Sequence, residues 1–143
     1  MNSPDGRECS EFLQHKKITL GGVRTSTLYL LNPQGRRVEK IQVDDCAITE
    51  GLRCDWLVLL NDMISKEEIF VELKGSDIYH AVEQLKASVE KLSADRTRFP
   101  KRCLVAFSRN PMFQTDVQNC MKRFKKEFNA SFSLVRNRSE VSL

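Results

Sequence analysis

No apolar run in this chain exceeds five residues, the length of Trp56–Leu60. A transmembrane helix needs about 20, so none is expected. The first residues, Met1-Asn2-Ser3-Pro4-Asp5-Gly6, hold no apolar stretch of the kind a secretory leader carries, and the default expectation is cytoplasmic. There is no glycine-rich phosphate loop, no G-x-S-x-G elbow and no zinc-protease helix. These absences disfavour an ATPase, a nucleotide-cofactor enzyme, a serine hydrolase and a metalloprotease. Histidine is scarce, at His15 and His80, and Trp56 is the single tryptophan. His80 reads as a partly exposed helix residue. Trp56 sits in an apolar strand and reads as packing rather than as a base-stacking platform. The five cysteines (Cys9, Cys46, Cys54, Cys103, Cys120) form no C-x-x-C pair. Their odd number predicts no disulfide framework and no zinc ribbon. Cys46 and Cys54 are candidate neighbours on adjoining strands, and reduced, partly buried thiols are the favoured expectation.

What remains is ordinary for a globular protein. The chain has 143 residues, 41% hydrophobic and 29% charged. That is one domain, residues 1–143, with enough length for a real core. Polar residues 5–16 with Phe12 and Leu13 predict a short helix capped near Asp5 or Ser10. Thr25–Leu31 reads as a strand, Asn32-Pro33-Gln34-Gly35 as a turn, and Arg37–Val43 as its partner, so residues 25–45 predict a β-hairpin. Asp55–Leu60 is apolar on both faces after its first residue, as a central strand is. Ile69–Lys74 is the next strand. Ile78, Val82, Leu85, Val89 and Leu92 then recur at helical spacing, with Ser76 as the expected N-cap. Cys103–Phe107 is a short buried strand. Asn110-Pro111 opens a second helix with an apolar face of Phe113, Val117, Cys120, Met121, Phe124 and Phe128, and Phe132–Val135 closes the chain as a strand. The order predicts an α/β (α+β) fold, a mixed β-sheet flanked by helices.

Three ionisable groups stand at the ends of the two core strands. Asp55 opens the first, and Glu72 and Lys74 share one face of the second. Such groups need partners to be tolerated there. A divalent cation, magnesium or manganese, satisfies two carboxylates with water completing its shell. A lysine beside it can orient an attacking water or stabilise negative charge in a transition state. The competing expectation is an exposed Glu72–Lys74 pair on an edge strand.

The net charge is only +4, but it is uneven. From Arg96 to Arg138 there are eleven Lys or Arg against two acids. A positive C-terminal third beside an acidic centre suits an enzyme of nucleic acid, and the candidate phosphate contacts are Lys101, Arg102, Arg109, Lys122, Arg123, Lys125 and Lys126. A solvated basic helix is the plainer alternative.

Asp55-Trp56-Leu57-Val58, then Phe70-Val71-Glu72-Leu73-Lys74-Gly75, then an amphipathic helix and a further strand, resemble the PD-(D/E)xK, or restriction-endonuclease-like, nuclease superfamily over residues 8–108. The resemblance implies an αβββαβ core and magnesium- or manganese-dependent hydrolysis of DNA phosphodiesters. Asp55 stands at the motif aspartate, Glu72 at the motif acid and Lys74 at the motif lysine. Gln84 falls where some exonuclease-like members have a glutamine that braces the site, although Ser88 stands where those members place a tyrosine. Cys54 replaces the proline often found before the aspartate. Many members draw a further acid from an N-terminal helix, and Glu11 or Glu8 would supply it here, with Glu50 a loop alternative. The partner implied is DNA, met by a homodimer or within a larger nuclease complex. The rival expectations are a weakly active nuclease-fold subunit of a restriction, repair or mobile-element assembly, and a protein-binding factor of viral or host-defence origin.

Overall fold

The alternation in the central strands settles how the layers stack. In Trp56–Leu60, Leu57 and Leu59 point to one side, Val58 and Leu60 to the other, and both sides are covered. The computed structural model describes residues 1–21, 26–109 and 112–143. Its strands are β1 (Ser10–Leu13), β2 (Lys17–Gly21), β3 (Thr27–Leu31), β4 (Val38–Gln42), β5 (Trp56–Asn61), β6 (Lys66–Lys74), β7 (Lys101–Phe107), β8 (Ala130–Arg136) and β9 (Glu140–Ser142); its helices are α1 (Ile78–Leu92) and α2 (Gln114–Phe128). A six-stranded mixed sheet has the order β1-β4-β5-β6-β7-β8, and a three-stranded sheet the order β2-β3-β9. β4, β5 and β6 form an antiparallel run, while β6, β7 and β8 are parallel.

Both faces of the large sheet are buried. On one, Leu57, Phe70, Cys103 and Val105 meet the α1 stripe and the α2 phenylalanines. On the other, Val58, Leu60, Ile69, Val71, Leu104 and Ala106 meet Ile18, Leu20, Leu28 and Leu30 of the small sheet. The adjacency of β5 and β6, the α1 stripe and the mixed sheet all match the sequence expectation. Leu85 is fully buried in the centre of that stripe. Leu85→Ala is therefore expected to destabilise the fold by about 2–5 kcal/mol, read as a lowered urea midpoint at unchanged slope.

Four expectations need correction. The N-terminal segment is not a helix. Gly6, at φ 90°, turns the chain, and Ser10–Leu13 pairs antiparallel with β4. A short polar segment has too little helical propensity to compete with a sheet edge that offers backbone partners. Residues 25–45 are not a hairpin either: β3 pairs with β2 and β9, and β4 with β1 and β5. The turn itself forms, with Gly35 N–H donating to the Asn32 carbonyl at 3.0 Å. Asn32 is 1% exposed, and its amide bonds the carbonyls of His15 and Arg36 at 3.1 and 2.7 Å. These contacts tie the turn to the segment before β2 and carry the chain from the small sheet into the large one. The α1 N-cap is Asp77, whose side chain accepts from His80 N–H at 3.1 Å, and not Ser76. Finally, Cys9 and Cys46 form a disulfide rather than remaining reduced, while Cys54, Cys103 and Cys120 are free and buried. Asn110 and Pro111, the expected opening of the second helix, lie outside the described residues; α2 begins at Gln114 with Phe113 at its N-cap.

Candidate active site

Antiparallel pairing of Trp56 with Val71 sets Asp55 beside Glu72 at one end of the large sheet. Asp55 N–H donates to the Val71 carbonyl at 3.1 Å, and its Oδ2 accepts from Leu73 N–H at 2.8 Å. Glu72 shares the helix-facing side with Phe70 and is 2% exposed. Lys74 lies two residues on, its Nζ 3.5 Å from Glu72 Oε2. Glu72 is thus not a solvated edge residue, and the exposed-pair alternative fails on its burial.

The electrostatics are those of two carboxyls forced together. Burial pushes the Glu72 carboxyl up to about 8; the Asp55 charge and the hydrogen bond between the two add to this, and Lys74 opposes it. Asp55 is also raised, first by burial, against the Leu73 N–H bond. Glu72 Oε1 is buried with no hydrogen-bond partner. A buried carboxyl oxygen whose lone pairs meet no donor is costly in a folded protein.

Helix α1 holds the strand that delivers Asp55. Ser88 Oγ accepts from Cys54 N–H at 2.7 Å and donates to the Gln84 carbonyl at 2.9 Å. Gln84 Nε2 donates to the Arg53 carbonyl at 3.0 Å, and among the described residues its Oε1 is the other buried side-chain oxygen without a hydrogen-bond partner. Gln84 and Ser88 clamp the two residues before Asp55. Ser88 was not among the expected site residues, although a polar residue on the buried α1 face, seven positions after Ala81 and three after Leu85, was the available signal.

Glu11 is not brought to the site. It pairs with Lys40 on β1, two strands from β5, and so lies about 10 Å along and about 10 Å across from the Asp55 row. Glu8 lies nearer that row but faces solvent, bound to Ser10 N–H and the Met1 amine. Glu50 is exposed in the loop. Among the described residues no group of three or more His, Cys, Asp or Glu is placed to share a metal. The carboxylates that could hold a metal at this end of the sheet are Asp55 and Glu72. Two carboxylates with several waters is a common magnesium arrangement, and the partnerless Glu72 Oε1 is the observation that fits it.

The basic candidates divide. Lys101 is 2% exposed, and its Nζ donates to the carbonyls of Asp95, Phe99 and Phe128 at 2.7, 2.6 and 3.2 Å. It is a structural lysine, unable to contact DNA. Arg102 donates to the Ser142 carbonyl at 2.7 Å. Lys122, Arg123, Lys125 and Lys126 are exposed, but α2 runs away from the site. Lys125 bonds Asn129, beside Lys101 at the opposite sheet end, about 20 Å from the Lys74 row. Arg109 alone of the expected set sits at the site end, its N–H bonded to the Gly75 carbonyl at 2.8 Å. Arg136 joins it there, because Lys74, Phe107 and Arg136 form one register row. No family model, no curated protein and no solved structure matches this chain.

Proposed function

We propose that this chain is a metal-dependent phosphodiester hydrolase acting on DNA, built on a restriction-endonuclease-like core. The observation that carries the reading is the buried Glu72, pressed against Asp55 with one oxygen unsatisfied and Lys74 at 3.5 Å. The β4-β5-β6-α1-β7 succession supports it as the βββαβ part of the expected core, with strand β1 in place of its first helix. Asp55 and Glu72 would hold magnesium or manganese, which supplies a bound water of lowered pKa and charge neutralisation at the phosphate. Lys74 donates hydrogen bonds to the attacking water or to a nonbridging phosphate oxygen, where negative charge grows in the transition state. The Leu73 N–H fixes one Asp55 oxygen and so aims the other. Gln84 and Ser88 hold the Arg53–Cys54 backbone and with it the approach of Asp55.

The test is incubation of the full chain with magnesium or manganese and linear, nicked, branched and single-stranded DNA. Cleavage that needs the metal, stops with EDTA and drops by orders of magnitude in Lys74→Ala is the expected result. A folded chain that cleaves none of these with either metal overturns the proposal and leaves the assembly-subunit alternative.

A further inference from the structure

We infer that the site end of the sheet binds single-stranded nucleic acid, with backbone phosphates on an arginine rim and unpaired bases on exposed aromatic rings. The inference rests on reading Asp55, Glu72 and Lys74 as the phosphodiester site, and it names the form of substrate that site receives.

Three exposed arginines, Arg109, Arg136 and Arg138, follow Lys74 along the ends of β6, β7 and β8. Lys74 and Arg136 share a row and a face, two strands or about 10 Å apart. Among the described residues none of the three arginines has an ion-pair partner, whereas Arg36, Arg53 and Arg123 all do. The nearby acids are engaged: Asp77 caps α1, and Asp116 accepts from the Tyr79 hydroxyl at 2.6 Å. The turn carrying two of the arginines is pinned. Asn137 N–H bonds the Phe107 carbonyl at 2.8 Å, its Oδ1 accepts from Thr27 N–H at 2.7 Å, and Arg138 N–H bonds the Thr27 carbonyl at 2.7 Å. Arg138 sits at φ 69°, in the left-handed region where glycine or asparagine is easier to place. An unpaired arginine kept there is held ready for an anion from outside the chain.

The aromatic rings separate a single strand from a duplex. Phe113 is 73% exposed at the α2 N-cap, where it makes no side-chain capping bond. Ser, Thr, Asp or Asn at that position would stabilise the helix. Tyr79, 47% exposed in the first turn of α1, is fixed through Asp116, and its hydroxyl lies against the Phe113 main chain. Two open rings on the same end as a cationic row make a stacking platform beside a phosphate track. Bases in a duplex keep their faces covered, so only an unpaired strand can use both.

Anisotropy titrations in EDTA with labelled oligothymidylate, a matching abasic strand and a duplex of equal length test this. Wild type is expected to prefer oligothymidylate over both. Phe113→Ala should weaken oligothymidylate binding about tenfold, as loss of one stacked base does, and leave the abasic strand unchanged. Arg136→Ala with Arg138→Ala should weaken both strands and flatten the salt dependence by about 0.7 per lost contact. Lys122→Ala with Lys126→Ala should change neither. A preference for duplex, or wild-type binding by Phe113→Ala, overturns the inference. So does self-association that Phe113→Ala abolishes without altering DNA binding, which would make the ring a protein contact. Binding is read without turnover, so a chain that binds as expected but cleaves nothing refutes the hydrolase and not the rim. A chain that cleaves while Phe113→Ala binds normally does the reverse.

Discussion

Replacing Glu72 with glutamine is expected to abolish metal-dependent cleavage and, in the same protein, to make the metal-free fold more stable at pH 8. Both effects follow from one buried carboxyl. Glu72 is 2% exposed, and its pKa rises from an ordinary 4.5 to about 8 on folding. Between those values the folded chain holds a proton that the unfolded chain releases. The stability that this carboxyl contributes is therefore full below about pH 4.5, falls as pH rises, and is lost through about pH 8. A tenfold difference in proton affinity is worth about 1.4 kcal/mol, so the wild type should lose a few kcal/mol across the window. Glutamine has the shape of the protonated form and no charge to bury. The variant's pH–stability curve should be nearly flat there, with only the smaller Asp55 contribution of the same sign remaining. Glutamine also removes one of the two proposed anionic ligands, and even loss of an outer metal partner typically costs about 10–100-fold in affinity. Urea unfolding in EDTA at pH 5 and pH 8, with calorimetric titration of magnesium and manganese, reads both arms. Added metal should restore the wild type at pH 8 and leave the variant unchanged. Parallel pH–stability curves for the two proteins would remove the electrostatic basis of the site.

The legible part of this protein is the part whose geometry is local. Asp55, Glu72 and Lys74 lie on two strands that are consecutive in sequence, so their meeting needs one turn and a two-residue alternation. The α1 face follows from spacing alone, and Gln84 and Ser88 lie on it. The illegible part depends on which sheet a strand joins. Asn32-Pro33-Gln34-Gly35 forms the expected turn, yet the bonds from buried Asn32 to His15 and Arg36 connect two sheets rather than two strands of one. Nothing in Thr27–Leu31 itself says that its partner is Lys17–Gly21 and, more than a hundred residues later, Glu140–Ser142. The basic residues show the same limit. Lys101, Lys125 and Arg136 are equivalent in a count of charge. Register alone puts the first under three carbonyls, the second at the far end and the third level with Lys74.

The Cys9–Cys46 disulfide is also a non-local feature, and breaking it is expected to have the second largest effect. The bond spans 37 residues. Closing a loop of that length restricts the unfolded chain by about 4 kcal/mol in the chain-entropy account. It also fastens the segment before β1 to the loop after β4, which the Arg7 guanidinium joins as well by donating to the Asp45 carbonyl at 3.1 Å. Cys9 precedes β1, a four-residue edge strand, and its carbonyl accepts from Gln42 N–H at 3.0 Å. Cys46 lies in the loop after β4, where Val43 N–H bonds the Asp55 carbonyl at 3.0 Å. Reduction should loosen β1 and the connection that ends in Asp55 before it touches the central strands. Cys9→Ser with Cys46→Ser is thus expected to lower unfolding free energy by about 2–4 kcal/mol, and reductant should bring the wild type to the same midpoint. Reductant finds no second bond to break, since the other three cysteines are free and buried, with burial pushing the Cys54 thiol up to about 12. Disulfides are uncommon in the reducing cytoplasm, which weighs against the compartment that the sequence alone suggests. Hydrogen exchange adds the spatial readout: faster exchange at Ser10–Leu13 and 43–54 on reduction, with Ile69–Leu73 unchanged. A wild-type urea midpoint that ignores reductant, or uniform loss of protection across the large sheet, would refute the tether.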